Sequence, residues 1–325
     1  MNELENPSEM RPIVGEMPDW RQTETHDFSG EDAGGHRALK QITILSGKGG
    51  TGKTTITASF AALSGGAVLA DCDVDASNLH LLLKPEVERT MEFKGLKLAV
   101  IDPDRCTRCG LCEEKCRFDA IRGFEVDPIQ CEGCGVCALV CPVDAVDFVE
   151  RVCGHAYISR TRHGPMSHAR LLPGMENSGK LVTLVRQNAK MLAEDGGRGL
   201  VIADGPPGIG CPVIASLSEI DGGLVVVEPT LSGIHDLKRA LKLLDHFKVE
   251  PLVCVNRHDL NDANTGEIEE FCAGAGIEVV GLIPFDPMVT GAMVAGLPVV
   301  EHSPGSPSSR AIEKVWARVR LHLAL

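Results

Sequence analysis

Short apolar runs recur along the chain, each stopped by a carboxylate or a small polar residue. Residues 42–45 (ITIL), 67–70 (AVLA), 200–203 (LVIA), 224–227 (LVVV) and 251–255 (PLVCV) are the clearest. None of them alternates apolar with polar positions. A strand that is apolar throughout is buried on both faces, as in a parallel sheet covered by helices. Between the runs the period becomes helical, over residues 56–63, 76–82 and 184–192. Near the C-terminus Ile312, Val315, Trp316, Val319 and Leu323 fall on one helical face. The pattern predicts an α/β fold with a doubly wound, mostly parallel sheet.

Two regions break the pattern. Residues 1–40 carry nine acidic and four basic side chains with little periodicity, and read as a disordered acidic extension in which His26 and His36 are bystanders. Residues 91–151 hold eight cysteines and read as an inserted domain. The α/β fold is then expected over residues 41–90 and 152–325. No apolar run reaches the roughly 18 residues of a membrane span. The first residues are acidic and lack the apolar stretch of a signal peptide. A cytoplasmic protein with no membrane partner is expected. The net charge of −13 argues against a nucleic-acid partner, and the 13 cysteines read as thiols or metal ligands, not disulfides.

The run at 42–45 leads directly into SGKGGTGKTT, residues 46–55, which fits G-x-x-x-x-G-K-[ST] from residue 47 to 54. Strand, glycine loop, helix is the context this motif needs. Backbone N–H groups of Gly47, Gly49, Gly50, Thr51 and Gly52 are expected to curl around phosphate oxygens, aided by the helix N-terminus bearing Thr54 and Thr55. Lys53 is expected on the β- and γ-phosphates of ATP, and the Thr54 hydroxyl on Mg²⁺.

Two later strands end in carboxylates, where ligands bind in open α/β sheets. The second run ends in Asp71, Asp73 and Asp75. Asp75 or Ser77 is a candidate cap for the following helix. The 200–203 run ends in Asp204, followed by Gly205, Pro206, Pro207 and Gly208. Asp204 is expected to hold Mg²⁺ through water. Gly208 is a candidate γ-phosphate donor in a loop that loosens when that phosphate leaves.

The cysteines form two runs, Cys106, Cys109, Cys112 and Cys116, then Cys131, Cys134, Cys137 and Cys141 with Pro142 after it. This resembles the bacterial two-cluster ferredoxin pattern, an α+β domain holding two 4Fe-4S clusters. In that pattern the fourth cysteine of each run crosses to the other cluster. Cluster I then takes Cys106, Cys109, Cys112 and Cys141; cluster II takes Cys131, Cys134, Cys137 and Cys116. Two zinc knuckles or unliganded core cysteines are the alternatives, but zinc sites usually pair two separated Cys-x₂-Cys units. Arg117 stands where the second run has Pro142. Residues 118–121 echo 143–146, an internal repeat.

Lys48 puts a second lysine inside the loop. With it the chain resembles the deviant phosphate-loop ATPases of the SIMIBI class, which include MinD, ParA, the nitrogenase iron protein and the Mrp-type cluster carriers. The resemblance spans about residues 41–325. It implies a nucleotide-sandwich dimer, with itself or a paralogue, in which Lys48 reaches the partner's nucleotide. It implies that Asp73 orients the attacking water and contributes to the Mg²⁺ site. It places Asn256 and Arg257 near the adenine, with residues 283–289 closing over the base. Cys211 matches a cluster-ligating cysteine of the iron protein, with Cys153 the candidate second ligand; a small buried thiol is the other reading. Cys72, Cys254 and Cys272 read as core thiols.

The basic segment 154–170 either lines a path between clusters and nucleotide or closes the domain junction as strand and loop. The terminal helix is read as core, although in MinD such a helix binds membrane. The leading expectation is an ATPase that couples ATP binding and hydrolysis to electron transfer through two clusters to a redox or cluster-accepting protein. An iron–sulfur carrier is the alternative, weakened because Cys272 is the only cysteine in residues 255–325. A positioning ATPase of the MinD or ParA kind with a redox sensor is another.

Overall fold

The computed structural model describes residues 39–175 and 178–325, all within one unit spanning residues 36–325. The acidic extension up to residue 38, with His26 and His36, lies outside the described residues.

Strand β1 (Lys40–Ser46) enters the glycine loop and helix α1 (Lys53–Leu63), followed by β2 (Val68–Asp71) and a short α2 (Leu79–Leu83). The cysteine segment comes next: β3 (Glu86–Ile101), α3 (Leu111–Lys115), β4 (Ile121–Arg122), β5 (Glu125–Val126), α4 (Val136–Leu139) and β6 (Val146–Thr161). The chain returns through β7 (Gly164–Leu171), α5 (Ser178–Asp195), β8 (Leu200–Pro207) and α6 (Cys211–Ser216). It continues through β9 (Gly222–Val227), α7 (Leu231–His246), β10 (Pro251–Asn256), α8 (Asp262–Gly274) and β11 (Glu278–Ile283). Helices α9 (Pro287–Ala295), α10 (Val299–His302) and α11 (Pro307–His322) end it.

The large sheet runs β11-β10-β9-β1-β8-β2-β7-β6-β3. From β11 to β7 every pairing is parallel, and β7–β6 and β6–β3 are antiparallel. Helices cover both faces, as the unalternating strands require. Ile42 and Ile44 pack with Ile56, Phe60 and Trp316, while Leu45 packs with Val213, Leu237 and Ile268 on the opposite face. Val68, Ala70, Val201 and Ala203 meet Leu181, Val185 and Ala189 of α5. The apolar face of α11 is committed to the first core, with the Trp316 ring tilted against Phe60 at 4.7 Å between centroids. Among the described residues no helix is long and apolar enough to cross a membrane.

Several element bounds differ from the sequence pattern. Helix α1 begins at Lys53, because Gly52 takes a left-handed backbone (φ 93°) and starts it there. Neither Asp75 nor Ser77 caps α2: the helix begins later than its apolar period suggested, at Leu79 after Asn78, and Ser77 donates to Asp71 instead. Residues 154–170 lie in β6, its turn and β7. The expected insertion limits at residues 91 and 151 fall inside β3 and β6, which run without interruption from the main sheet into the cysteine segment.

That segment is a repeat in three dimensions. Arg108 and Gly133, Gly110 and Gly135, and Asp119 and Asp144 are left-handed pairs, each 25 residues apart. The hydrogen bonds repeat too: Asp102 N–H donates to the Ala145 carbonyl (2.8 Å), and Asp127 N–H to that of Ala120 (2.7 Å). Each bond crosses from one half to the other. The rungs of β4 and β5, Ile121 opposite Val126, repeat the last rung of the long pair, Ile101 opposite Val146.

Candidate functional site

The glycine loop lies between β1 and α1 and is open where a ligand would need it. Nothing stands within 4 Å of a Cβ added at Gly49 or Gly50, and both are exposed. Gly47 and Gly52 are glycine for the opposite reason: a Cβ would strike Asp236 at the first and the Asn256 amide at the second. The Thr51 hydroxyl is buried and has no protein partner. An orphaned buried donor in an open loop fits a nucleotide, whose phosphates can satisfy it.

Asp204 and Asp71 are register partners on β8 and β2, so two carboxylates stand side by side on one face of the sheet. Asp204 accepts from the Thr54 hydroxyl (2.7 Å) and the Thr57 hydroxyl (3.1 Å). Thr54 therefore turns its proton toward Asp204 and keeps lone pairs free for a cation. Burial pushes the Asp204 carboxyl up, while the Lys53 ammonium and the two hydroxyls pull it back. Burial, reinforced by Asp204, pushes Asp71 up to about 8. Asp71 accepts from the Ser77 hydroxyl (2.5 Å), from Leu79 N–H (3.3 Å) and from Asp73 N–H (3.2 Å). Asp73 accepts from Ala76 N–H (3.2 Å), which fixes the turn after β2.

The other expected residues have partners within the chain. Lys53 is buried at the start of α1. Thr55 is half-buried, and its carbonyl accepts from Ser59. Gly208 N–H donates to the Ser46 carbonyl (3.1 Å), closing the loop after β8 onto β1. The Asn256 amide donates to the Thr51 carbonyl (2.8 Å), and Arg257 pairs with Glu228 (2.6 Å). Lys48 lies 3.4 Å from the same Glu228. Phe285 and Met288 are exposed beyond β11. Sequence reasoning missed Glu228 and Thr57, and read Ser77 as a helix cap and not as the partner of Asp71, although Thr57 is one helical turn beyond Thr54 and that spacing puts both on one face. It also missed His168, which is the register partner of Asp71 on β7. Its ring lies 2.8 Å from the Ser159 hydroxyl and stacks 5.0 Å from Tyr157 of β6. Burial pulls His168 down to about 4, so it is neutral at ordinary pH. A polar row thus runs from Asp204 through Asp71 and His168 to Tyr157, on the strand that enters the cysteine segment.

The eight cysteines line two small, partly open pockets. Cys131, Cys134 and Cys137 share the first with Cys116, and Cys106, Cys109 and Cys112 share the second with Cys141. Arg108 N–H points at the Cys106 sulfur (3.4 Å) and Ala145 N–H at that of Cys141 (3.2 Å). Among the described residues no three His, Cys, Asp or Glu side chains converge as ligands of one metal ion. Cys153 is fully buried in β6 and Cys211 is exposed at the start of α6. Cys72, Cys254 and Cys272 are fully buried.

Strand, glycine loop and helix, with carboxylates on the adjoining strands, define a phosphate-loop nucleotide-binding α/β protein. The chain belongs to the CobQ/CobB/MinD/ParA nucleotide-binding family, whose domain matches residues 42–299. Among curated proteins it is 38% identical over 229 residues to the uncharacterized protein MJ0578 of Methanocaldococcus jannaschii, covering 70% of this chain and 81% of that one. It is 26% identical over 286 residues to the septum site-determining protein MinD of Bacillus subtilis, covering 86% of this chain and 88% of the relative. Among solved structures, the Pyrococcus horikoshii MinD complexed with Mg-ADP aligns with TM-score 0.53 at 19% identity, over 86% of this chain and 96% of that one. That last likeness is one of fold.

Proposed function

We propose that the chain is a Mg-ATP-dependent, dimerising ATPase whose ATP binding and hydrolysis are coupled to electron transfer through two 4Fe-4S clusters to a protein partner. The observation that carries the reading is the crossed sorting of the cysteines, in which each cavity takes three thiols from one run and the fourth from the other. The four thiols surround a space and do not converge on a point. A cluster of several irons asks for that arrangement, and a single zinc ion does not. Cys106, Cys109, Cys112 and Cys141 would hold one cluster, and Cys131, Cys134, Cys137 and Cys116 the other. Bound there, the clusters would supply one-electron chemistry, tuned by N–H groups aimed at the sulfurs.

At the nucleotide site each side chain has a separate task. Gly47, Gly49, Gly50, Thr51, Gly52 and Thr55 cradle the phosphates with backbone N–H groups, and Lys53 neutralises them. Thr54 holds Mg²⁺, and Asp204 orients Thr54 and the ion's water. Asp73 orients the attacking water and adds its charge to the Mg²⁺ site. Asn256 and Arg257 lie toward the base, Gly208 toward the γ-phosphate, and Lys48 serves the nucleotide of a second copy or a paralogue. The relative solved with Mg-ADP supports the choice of ligand. Coupling is supported by continuity, since the strand that bears Tyr157 also enters the cysteine segment.

The test is elemental analysis of the full chain isolated without oxygen, with ATP turnover measured on the same sample. The proposal expects iron and acid-labile sulfide in equal amounts, about eight of each per chain, and Mg²⁺-dependent ATP hydrolysis lost in Lys53→Ala. Zinc in place of iron, or no affinity for ATP, would overturn it.

A further inference from the structure

Glu228 stands just beyond β9 with its side chain only 10% exposed, and its one carboxylate faces two cations. Oε1 accepts from Arg257 at 2.6 Å, and Oε2 lies 3.4 Å from the Lys48 ammonium. Lys48 also donates to the hydroxyls of Thr230 (3.3 Å) and Ser232 (3.5 Å). Thr230 is itself fixed, because its hydroxyl caps α7 by accepting from Gly233 N–H (3.0 Å). Gly233 has no room for a side chain, since a Cβ there would strike the Glu228 carbonyl. The acceptors that surround Lys48 are thus set by the junction of β9 and α7, and they turn the lysine back into its own subunit.

An ammonium held by Glu228 cannot at the same time reach the phosphates of a second copy. We propose that Glu228 is a positioning residue that holds Lys48 within its own subunit until nucleotide seated in a second copy draws it out. The proposal rests on the reading of Lys48 as the lysine that serves a partner's nucleotide. Arg257 makes the exchange feasible. A carboxylate this buried would be costly if left without a counter-ion, and Arg257 stays with Glu228 when Lys48 leaves. The triphosphate competes because it carries more negative charge than a single carboxylate. Glu228 would then set how much nucleotide is needed before two chains join, and no nucleotide contact of its own is required for that.

The experiment measures dimer formation of the full chain by sedimentation velocity against rising concentrations of a non-hydrolysable ATP analogue. Glu228→Gln keeps an acceptor for Arg257 and removes the charge that holds Lys48. It should reach half-dimer at about five-fold less analogue, the scale of one partly exposed ion pair. Lys48→Ala should not dimerise at any concentration of analogue, and adding Glu228→Gln to it should not restore the dimer. An unchanged or raised requirement in Glu228→Gln, with Lys48→Ala unable to dimerise, overturns this proposal alone. Dimerisation of Lys48→Ala like the parent overturns the reading of Lys48 on which it stands. Should Glu228→Gln fail to fold, Glu228→Asp decides: its shorter reach should lower the requirement in the same direction, and no change or a rise overturns the proposal.

Discussion

Replacing Asp71 by asparagine should remove a pH dependence of stability that the native pair of carboxylates imposes. An unfolded aspartate titrates near ~3.9, whereas Asp71 in the fold is pushed up to about 8 by burial and by its neighbour Asp204. Between those values the folded chain holds a proton that the unfolded chain has lost. Its stability must therefore fall as pH rises through that window, by up to about 1.4 kcal/mol per unit for this one group. Over the whole window the ceiling is about 6 kcal/mol. Water penetration and local relaxation reduce it, so a fall of about 2 kcal/mol between roughly pH 5 and pH 8 is the working expectation. The amide introduced by Asp71→Asn cannot titrate, so this slope should vanish. It also presents an NH₂ edge to donors that Asp71 accepts, from Ser77, Asp73 and Leu79. Absolute stability should thus drop at every pH, and only the slope is diagnostic. Urea unfolding of nucleotide-free Asp71→Asn and parent at a series of pH values reads it directly. Parallel stability–pH curves for the two would refute the reasoning.

Cys116→Ala should cost iron from the cavity lined by Cys131, Cys134 and Cys137, and Cys141→Ala from the other; cluster spectra of the two variants should be complementary, and loss from the same-run cavity would contradict the crossed assignment. Asn256→Ala removes the bond to the Thr51 carbonyl. Nucleotide affinity by calorimetry should fall about five-fold, the worth of one neutral hydrogen bond. Trp316→Ala empties the place beside Phe60 and should destabilise the fold by about 3–5 kcal/mol in chemical denaturation, without changing the iron content of the folded fraction.

The parts of this fold that were legible in the sequence are those written locally. Unalternating strands announced a sheet buried on both faces, and Ile44 and Leu45, consecutive yet in opposite cores, show why. The glycine loop and the cysteine runs depend on spacing within a few residues, so they too could be read directly. The long arms of β3 and β6 were not. Many positions of β3 are exposed, with Glu86, Glu88 and Arg89 charged at the outset, because β3 is the sheet edge, and β6 beside it mixes buried with exposed positions. An edge strand lacks the apolar run that marks a buried one, so the insertion looked detached from a sheet that it extends. Glu228 was invisible for a different reason. It meets Lys48 and Arg257 only once β1, β9 and β10 lie side by side, and no local pattern encodes that meeting.

The central claim is that nucleotide state and cluster state influence each other through one sheet. The most direct measurement is a spectroelectrochemical titration of the anaerobic, full-length protein with Mg-ADP and then with a non-hydrolysable ATP analogue. The account predicts that the midpoint potential of at least one cluster differs between the two nucleotides, and that the difference disappears in Lys53→Ala. Identical potentials in both states, with nucleotide binding confirmed in the same sample, would contradict it.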